Sequence, residues 1–305
     1  MKSRTNEQPL HGQRLYRRRL LQLAGGAALL PAARLVQADD IARVAQRAET
    51  AAPAEALRDD LMSHFRELDV DGCFAMLDVK ANRLSLVNAP RAKTRMVPAS
   101  TYKIPNSLIA FETGMVADPD QVQPYGGGKT RFPQWQRDMN LREAIAMSNV
   151  PVYQGVARRI GMQRMQTWVD RLDYGNRDLG KQVDQFWLRG PLAISAVEQT
   201  RFLARLAQQQ LPASRLSQQW VREILKVESG GDYALFAKTG WAMDAGLNHG
   251  WWVGWVERNG GVYTFALNMD LQREELAPKR LTIARAMMVE LGALPAQNVP
   301  ARKTS

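Results

Sequence analysis

The 305-residue chain contains one cysteine, Cys73, and only three histidines, His11, His64 and His249. A single thiol excludes an intrachain disulfide and any Cys-x-x-Cys metal or redox site. The histidines lie too far apart for a His-x-x-x-His pair, so a zinc hydrolase is not expected and no metal ligand is assigned. Long apolar runs are also missing. The stretch 20–33 is broken by Gln22, Gly25, Gly26 and Pro31 and is too short to cross a bilayer, so the mature protein should have no membrane span. The net charge is +11, yet no block of five basic residues occurs. Just over half of that excess sits in residues 1–38, where Lys2, Arg4, Arg14, Arg17, Arg18, Arg19 and Arg34 face the single acid Glu7. The rest is scattered, which argues against a nucleic-acid partner. Gly128-Lys129-Thr130 imitates the end of a phosphate-binding loop, but Gln123 stands where that motif needs its first glycine.

The first 38 residues have the layout of an export signal. Arg17, Arg18 and Arg19 precede the apolar stretch, and Val36-Gln37-Ala38 offers small residues for cleavage before Asp39. Arginine pairs followed by Leu20-Leu21 also fit a twin-arginine signal. The mature protein, residues 39–305, is expected to be a single catalytic domain working outside the cytoplasm, in the periplasm. With 45% hydrophobic residues the chain can bury a large core.

Periodicity predicts a helix over 40–68, broken at Pro53, with Leu57, Leu61, Phe65 and Leu68 on one face. Strands are predicted at 72–78 and 83–87, joined by a turn at Lys80-Ala81-Asn82. Residues 115–228 read as helices and loops, with Pro151 interrupting or restarting a helix, Gly161 closing the one that follows, and Ser195 and Glu198 forming a capping box. Three strands follow near 233–239, 250–257 and 262–269, the last two joined by Asn259-Gly260. Trp251, Trp252 and Trp255 read as sheet packing. A final helix carries Ile283, Met287 and Leu291 and stops at Gly292. This order predicts an α/β lobe (57–99 and 229–294) whose antiparallel sheet is built from both chain ends, flanked by helices, around an inserted helical lobe (100–228). The cleft between them should hold the chemistry.

Ser100 and Lys103 stand at the start of an apolar helix that contains Leu108, Ile109 and Phe111. Three positions apart, their side chains share a helical face. A hydroxyl becomes a nucleophile when a base removes its proton, and lysine can be that base if burial keeps it uncharged. Three more short motifs follow in order: Ser148-x-Val150, Tyr174-Gly-Asn176 and Lys238-Thr-Gly240. Together with Phe132-Pro-Gln-Trp-Gln-Arg-Asp-Met139, Val150-Pro-Val-Tyr-Gln154 and Trp252-Val-Gly-Trp-Val-Glu257, they resemble the class D, or oxacillinase-type, serine β-lactamases over about residues 57–292. Ser-Asn-Val in second place separates the pattern from the Ser-Asp-Asn of class A. Tyr125 departs from it, standing where family members often carry Trp in a loop near the cleft.

The resemblance implies a serine β-lactamase and penicillin-binding transpeptidase-like fold and the hydrolysis of β-lactams, giving antibiotic resistance. By that likeness Ser100 is the nucleophile and Lys103 becomes N6-carboxylysine by reaction with carbon dioxide, in a pocket of Val150, Trp187 and Leu188. No other cofactor is implied. Ser148 passes a proton to the leaving nitrogen, and the N–H groups of Ser100 and Trp241 form an oxyanion hole. Lys238, Thr239 and Arg280 receive the substrate carboxylate, and Gly240, in the same substrate-binding set, lets the backbone approach closely. Tyr174-Gly-Asn176 is read as a structural corner. A penicillin-binding peptidase or transpeptidase, and a non-hydrolytic β-lactam sensor domain, are the alternatives. Nothing in the sequence indicates an oligomeric state.

Overall fold

Both ends of the chain contribute strands to one sheet in a computed structural model, which describes residues 52–243 and 246–296. The export signal lies outside the described residues, as does the first part of the predicted 40–68 helix. The strands are β1 (Ala54–Leu57), β2 (Gly72–Asp78), β3 (Arg83–Val87), β4 (Lys226–Ser229), β5 (Tyr233–Ala242), β6 (His249–Arg258) and β7 (Gly261–Asp270). Their order across the sheet is β1-β3-β2-β7-β6-β5-β4. Helices are α1 (Ser63–Arg66), α2 (Ala89–Lys93), α3 (Lys103–Glu112), α4 (Leu141–Ala146), α5 (Val150–Ile160), α6 (Met162–Leu172), α7 (Ala196–Ala207), α8 (Arg215–Leu225) and α9 (Lys279–Glu290). None of them is long and apolar enough to cross a membrane.

Two expectations need correction. The sheet is mixed, because β1 pairs with β3 in parallel register from Ala54↔Arg83 to Leu57↔Leu86, while every other pair is antiparallel. The segment Ala54-Glu-Ala-Leu57 has good helix formers, but pairing at the sheet edge overrides that preference. Leu57, predicted on the buried face of a helix, is 63% exposed. At the other edge, β4 follows α8 without a loop and begins inside the segment assigned to the helical lobe.

Elsewhere local chemistry and structure agree. Asn259 and Gly260 have φ of 51° and 71°, the left-handed pair that a two-residue hairpin demands. Asn149 caps α5 by accepting from Val152 N at 3.1 Å, and Pro151 falls in the first turn, where its missing N–H does no harm. The Ser195–Glu198 capping box opens α7. Alternation divides the sheet's side chains: Trp251, Val253 and Trp255 enter the core beneath α3 and α5 to α8, while Trp252 and Val256 enter the one beneath α9. Trp255 stacks on Phe236 with ring centroids 4.6 Å apart.

Gly254 separates these tryptophans where β5 and β6 approach closely; a methyl group there would meet Phe236 O at 2.0 Å. Gly254→Ala should therefore cost about 3 kcal/mol of stability. Denaturant unfolding checks this, and a loss below roughly 0.5 kcal/mol would show that the strands part easily.

Candidate active site

Ser100 belongs to a 3₁₀ turn, Ala99–Tyr102, that runs directly into α3 at Lys103. Ala99 at φ 50° occupies left-handed space, as does Ser148 at φ 55°, a backbone cost that surrounding contacts must offset. The turn is held from two sides. Val97 O accepts from Trp251 Nε1 at 3.0 Å and lies 2.9 Å from His249 Nε2, so that histidine nitrogen carries the hydrogen. Pro98 O accepts from Thr101 N at 3.2 Å and from Thr101 Oγ1 at 2.8 Å. Gly240 makes the approach of β5 possible, since a Cβ there would stand 3.0 Å from Pro98 O.

Lys103 is fully buried, and its Nζ donates to Ser100 Oγ at 2.8 Å. Burial, with a smaller contribution from the charge of Lys238, holds its pKa well below the ordinary lysine value. The ring of Tyr153 lies 5.4 Å from Nζ, its hydroxyl 2.8 Å from Ser107 Oγ. Trp187 is equally buried. Its ring stacks on Tyr102 at 5.5 Å and meets Phe186 edge-on at 4.9 Å, and its Nε1 has no hydrogen-bond partner among the described residues. An indole N–H left unpaired at such depth is a donor awaiting an oxygen.

The opposite wall is the far end of β5. Strand β4 pairs only with Ala234 to Phe236, so the edge beyond is open to the 3₁₀ turn. Lys238 is buried there, with Nζ 3.1 Å from Thr239 O; burial first and Arg280 second bring its pKa down to about 7. Arg280, on α9, donates from Nε to Ala277 O at 2.7 Å and from Nη1 to Gly240 O and, at 3.3 Å, to Trp251 O. Among the described residues no carboxylate pairs with it. Burial lowers its pKa to about 10.

A cleft of about 430 Å³ joins these walls. Ser100, Ser148, Val150, Leu188, Thr239, Gly240, Trp241 and Arg280 all line it. Lys103 and Trp187 are buried, and Lys238 lines an adjoining cavity of about 240 Å³ that shares Thr239. The arrangement brings a hydroxyl, a buried amine, a second lysine and a guanidinium to one place, suited to acyl transfer from a substrate bearing an acid.

The penicillin binding protein transpeptidase domain family matches residues 72–288. The β-lactamase OXA-5 of Pseudomonas aeruginosa is 40% identical over 233 residues, covering 75% of this chain and 87% of that protein. The chain belongs to the class D β-lactamases. β-Lactamase OXA-48 of Klebsiella pneumoniae is likewise 40% identical, over 76% of this chain and 88% of its own. The solved class D β-lactamase FUS-1 (OXA-85) from Fusobacterium nucleatum subsp. polymorphum superposes with a TM-score of 0.76 at 38% identity, covering 78% of this chain and all of that one. As a class D β-lactamase, the protein is a hydrolase of a family that acts on β-lactams.

The class D motifs left parts of this cleft unassigned. Arg131, Phe132, Gln134, Trp135, Met147 and Met243 also line it. Trp135 Nε1 donates to Met147 O at 3.0 Å and Trp135 O accepts from Asn149 Nδ2 at 3.1 Å, so this loop is tied to the Ser148 segment. Tyr125 does not line the cleft; it packs half-buried against the core, its N–H donating to Asp138 Oδ1 at 3.1 Å. Tyr174 is buried edge-on against Tyr102 and Phe202, and Asn176 bonds Pro191 O and Ala193 N, a corner with no atom in the cleft lining.

Proposed function

We propose that this enzyme opens the β-lactam amide of penicillin-type antibiotics through a Ser100 acyl-enzyme, with Lys103 carboxylated on Nζ, and that it confers resistance as an exported, periplasmic protein. The observation that carries this is the buried amine of Lys103, 2.8 Å from Ser100 Oγ. A charged ammonium at that depth would be strongly penalised, whereas a neutral amine can accept a proton or react with carbon dioxide.

The carboxylated lysine would supply an anionic oxygen base beside the serine hydroxyl. Trp187 fits it, because its Nε1, unpaired among the described residues, can donate to such an oxygen, and Val150 and Leu188 add apolar lining to the cleft. Ser100 Oγ attacks the lactam carbonyl while the N–H groups of Ser100 and Trp241 receive the oxyanion. Losing one such donor typically costs ~3–4 kcal/mol of transition-state stabilisation. Ser148 delivers a proton to the departing nitrogen. Arg280, with its guanidinium unpaired by any described acid, takes the substrate carboxylate together with Lys238 and Thr239.

The direct test is steady-state hydrolysis of a chromogenic cephalosporin with and without bicarbonate. Turnover that rises with bicarbonate is expected. A stoichiometric burst without turnover would favour a penicillin-binding peptidase or a sensor domain.

Lys238 gives a second check. With a pKa of about 7, it is mostly neutral at pH 8.5 and charged at pH 5.5. A bound carboxylate favours the ammonium, so binding to Ser100→Ala protein should take up close to one proton at about pH 8.5 and close to none at about pH 5.5. Calorimetry in buffers of different ionisation enthalpy measures this. Equal uptake at both pH values would remove Lys238 from the carboxylate site.

A further inference from the structure

The cleft carries more positive charge than a simple penicillin needs. Among the described residues its lining includes two guanidinium groups, Arg131 and Arg280, and no carboxylate. On the reading above, Arg280 is occupied by the acid every penicillin carries on its fused ring. Arg131 is left over. Other arginines near this wall are neutralised, Arg137 by Glu143 at 3.1 Å and Arg142 by Asp120 at 3.1 Å. Arg131 has no acid partner among the described residues. Its guanidinium carbon lies 5.7 Å from the Phe132 ring centroid, a contact that leaves the N–H edges free to bind.

Arg131 is also held in place. Thr130 Oγ1 donates across it to Phe132 O at 2.7 Å, and Phe132 meets Trp135 edge-on at 4.7 Å. Trp135 is in turn bonded to the Ser148 segment. Arg280, by contrast, is fixed to carbonyls of β5 and β6. In a penicillin the acylamino side chain and the ring carboxylate leave from opposite ends of the bicycle. With the lactam carbonyl at Ser100 and the carboxylate at Arg280, the acylamino side chain is left to the rest of the lining, which includes Phe132, Trp135 and Arg131.

We propose that Arg131 forms a second anion subsite, and that the enzyme favours penicillins whose acyl side chain carries its own acidic group over those with a neutral side chain. This rests on the hydrolytic reading, and the two can fail separately. The test compares kcat/KM for α-carboxybenzylpenicillin and benzylpenicillin, which differ only in the side-chain carboxylate. In Arg131→Gln the ratio should fall roughly fivefold, the effect of a partly exposed charge pair, and in Arg131→Glu further. Benzylpenicillin is the internal reference, because any loosening of the Phe132–Trp135 loop would lower both penicillins alike and leave their ratio unchanged. Raising salt to about 0.5 M should lower the wild-type ratio and leave that of Arg131→Gln unchanged. A ratio that is the same in wild type and both variants would overturn the subsite. Hydrolysis of neither penicillin by the wild type would overturn the hydrolytic reading, and the subsite with it.

Discussion

Lys103→Ala should leave a folded protein that turns over β-lactams poorly, with kcat/KM lowered by about 10²- to 10⁴-fold, the usual worth of a positioned general base. The expectation follows from the 2.8 Å contact with Ser100 Oγ and from the depth of the amine. Burial makes a charged lysine costly here, so its removal relieves a desolvation penalty even as it opens a cavity. Lys103→Arg should give no rescue, since a guanidinium stays protonated. Steady-state rates establish the loss, and mass spectrometry shows whether any acyl-enzyme accumulates. Turnover within about tenfold of wild type would mean that another group takes the serine proton.

Trp187 should separate two roles that coincide in one side chain. Trp187→Ala removes a fully buried indole from a stack with Tyr102 and Phe186 and should destabilise the protein by about 3–5 kcal/mol. It should also stall the enzyme at deacylation. Trp187→Phe keeps most of the ring and removes only the N–H. It should retain most of the stability and need about 10- to 100-fold more bicarbonate for half-maximal turnover, the worth of a hydrogen bond to a charged acceptor. Bicarbonate titrations of both variants, with thermal unfolding alongside, tell the roles apart. An unchanged bicarbonate requirement in Trp187→Phe would leave the indole a packing residue and nothing more.

The nucleophile turn and the motifs around it were legible because their signals are short-range. Ser100 and Lys103 meet through local helical geometry, Asn149 and Pro151 start α5 by capping chemistry, and Asn259-Gly260 dictates its own hairpin. What the sequence hid depends on distant partners. Ala54–Leu57 has helix formers and becomes a strand only because β3 offers an edge. Nothing near His249 in sequence indicates that it meets Val97 O alongside Trp251, 152 positions away from Val97 in the chain. Tyr125 and Arg131 lie in one loop, six positions apart, with no helical or strand period to assign either side chain a face. Only the path of that loop decides that Arg131 faces the cleft while Tyr125 packs on the core. The open edge of β5 is similarly invisible, because it arises from β4 stopping short.

The central claim is that the Lys103 amine is uncharged and able to capture carbon dioxide beside Ser100. Carbon-13 NMR of the protein equilibrated with labelled bicarbonate tests it most directly. A single carbamate resonance that is present in wild type, weakened in Trp187→Phe and absent from Lys103→Ala is the expected result. A wild-type spectrum without that resonance, recorded under conditions where the enzyme still turns over, would contradict it.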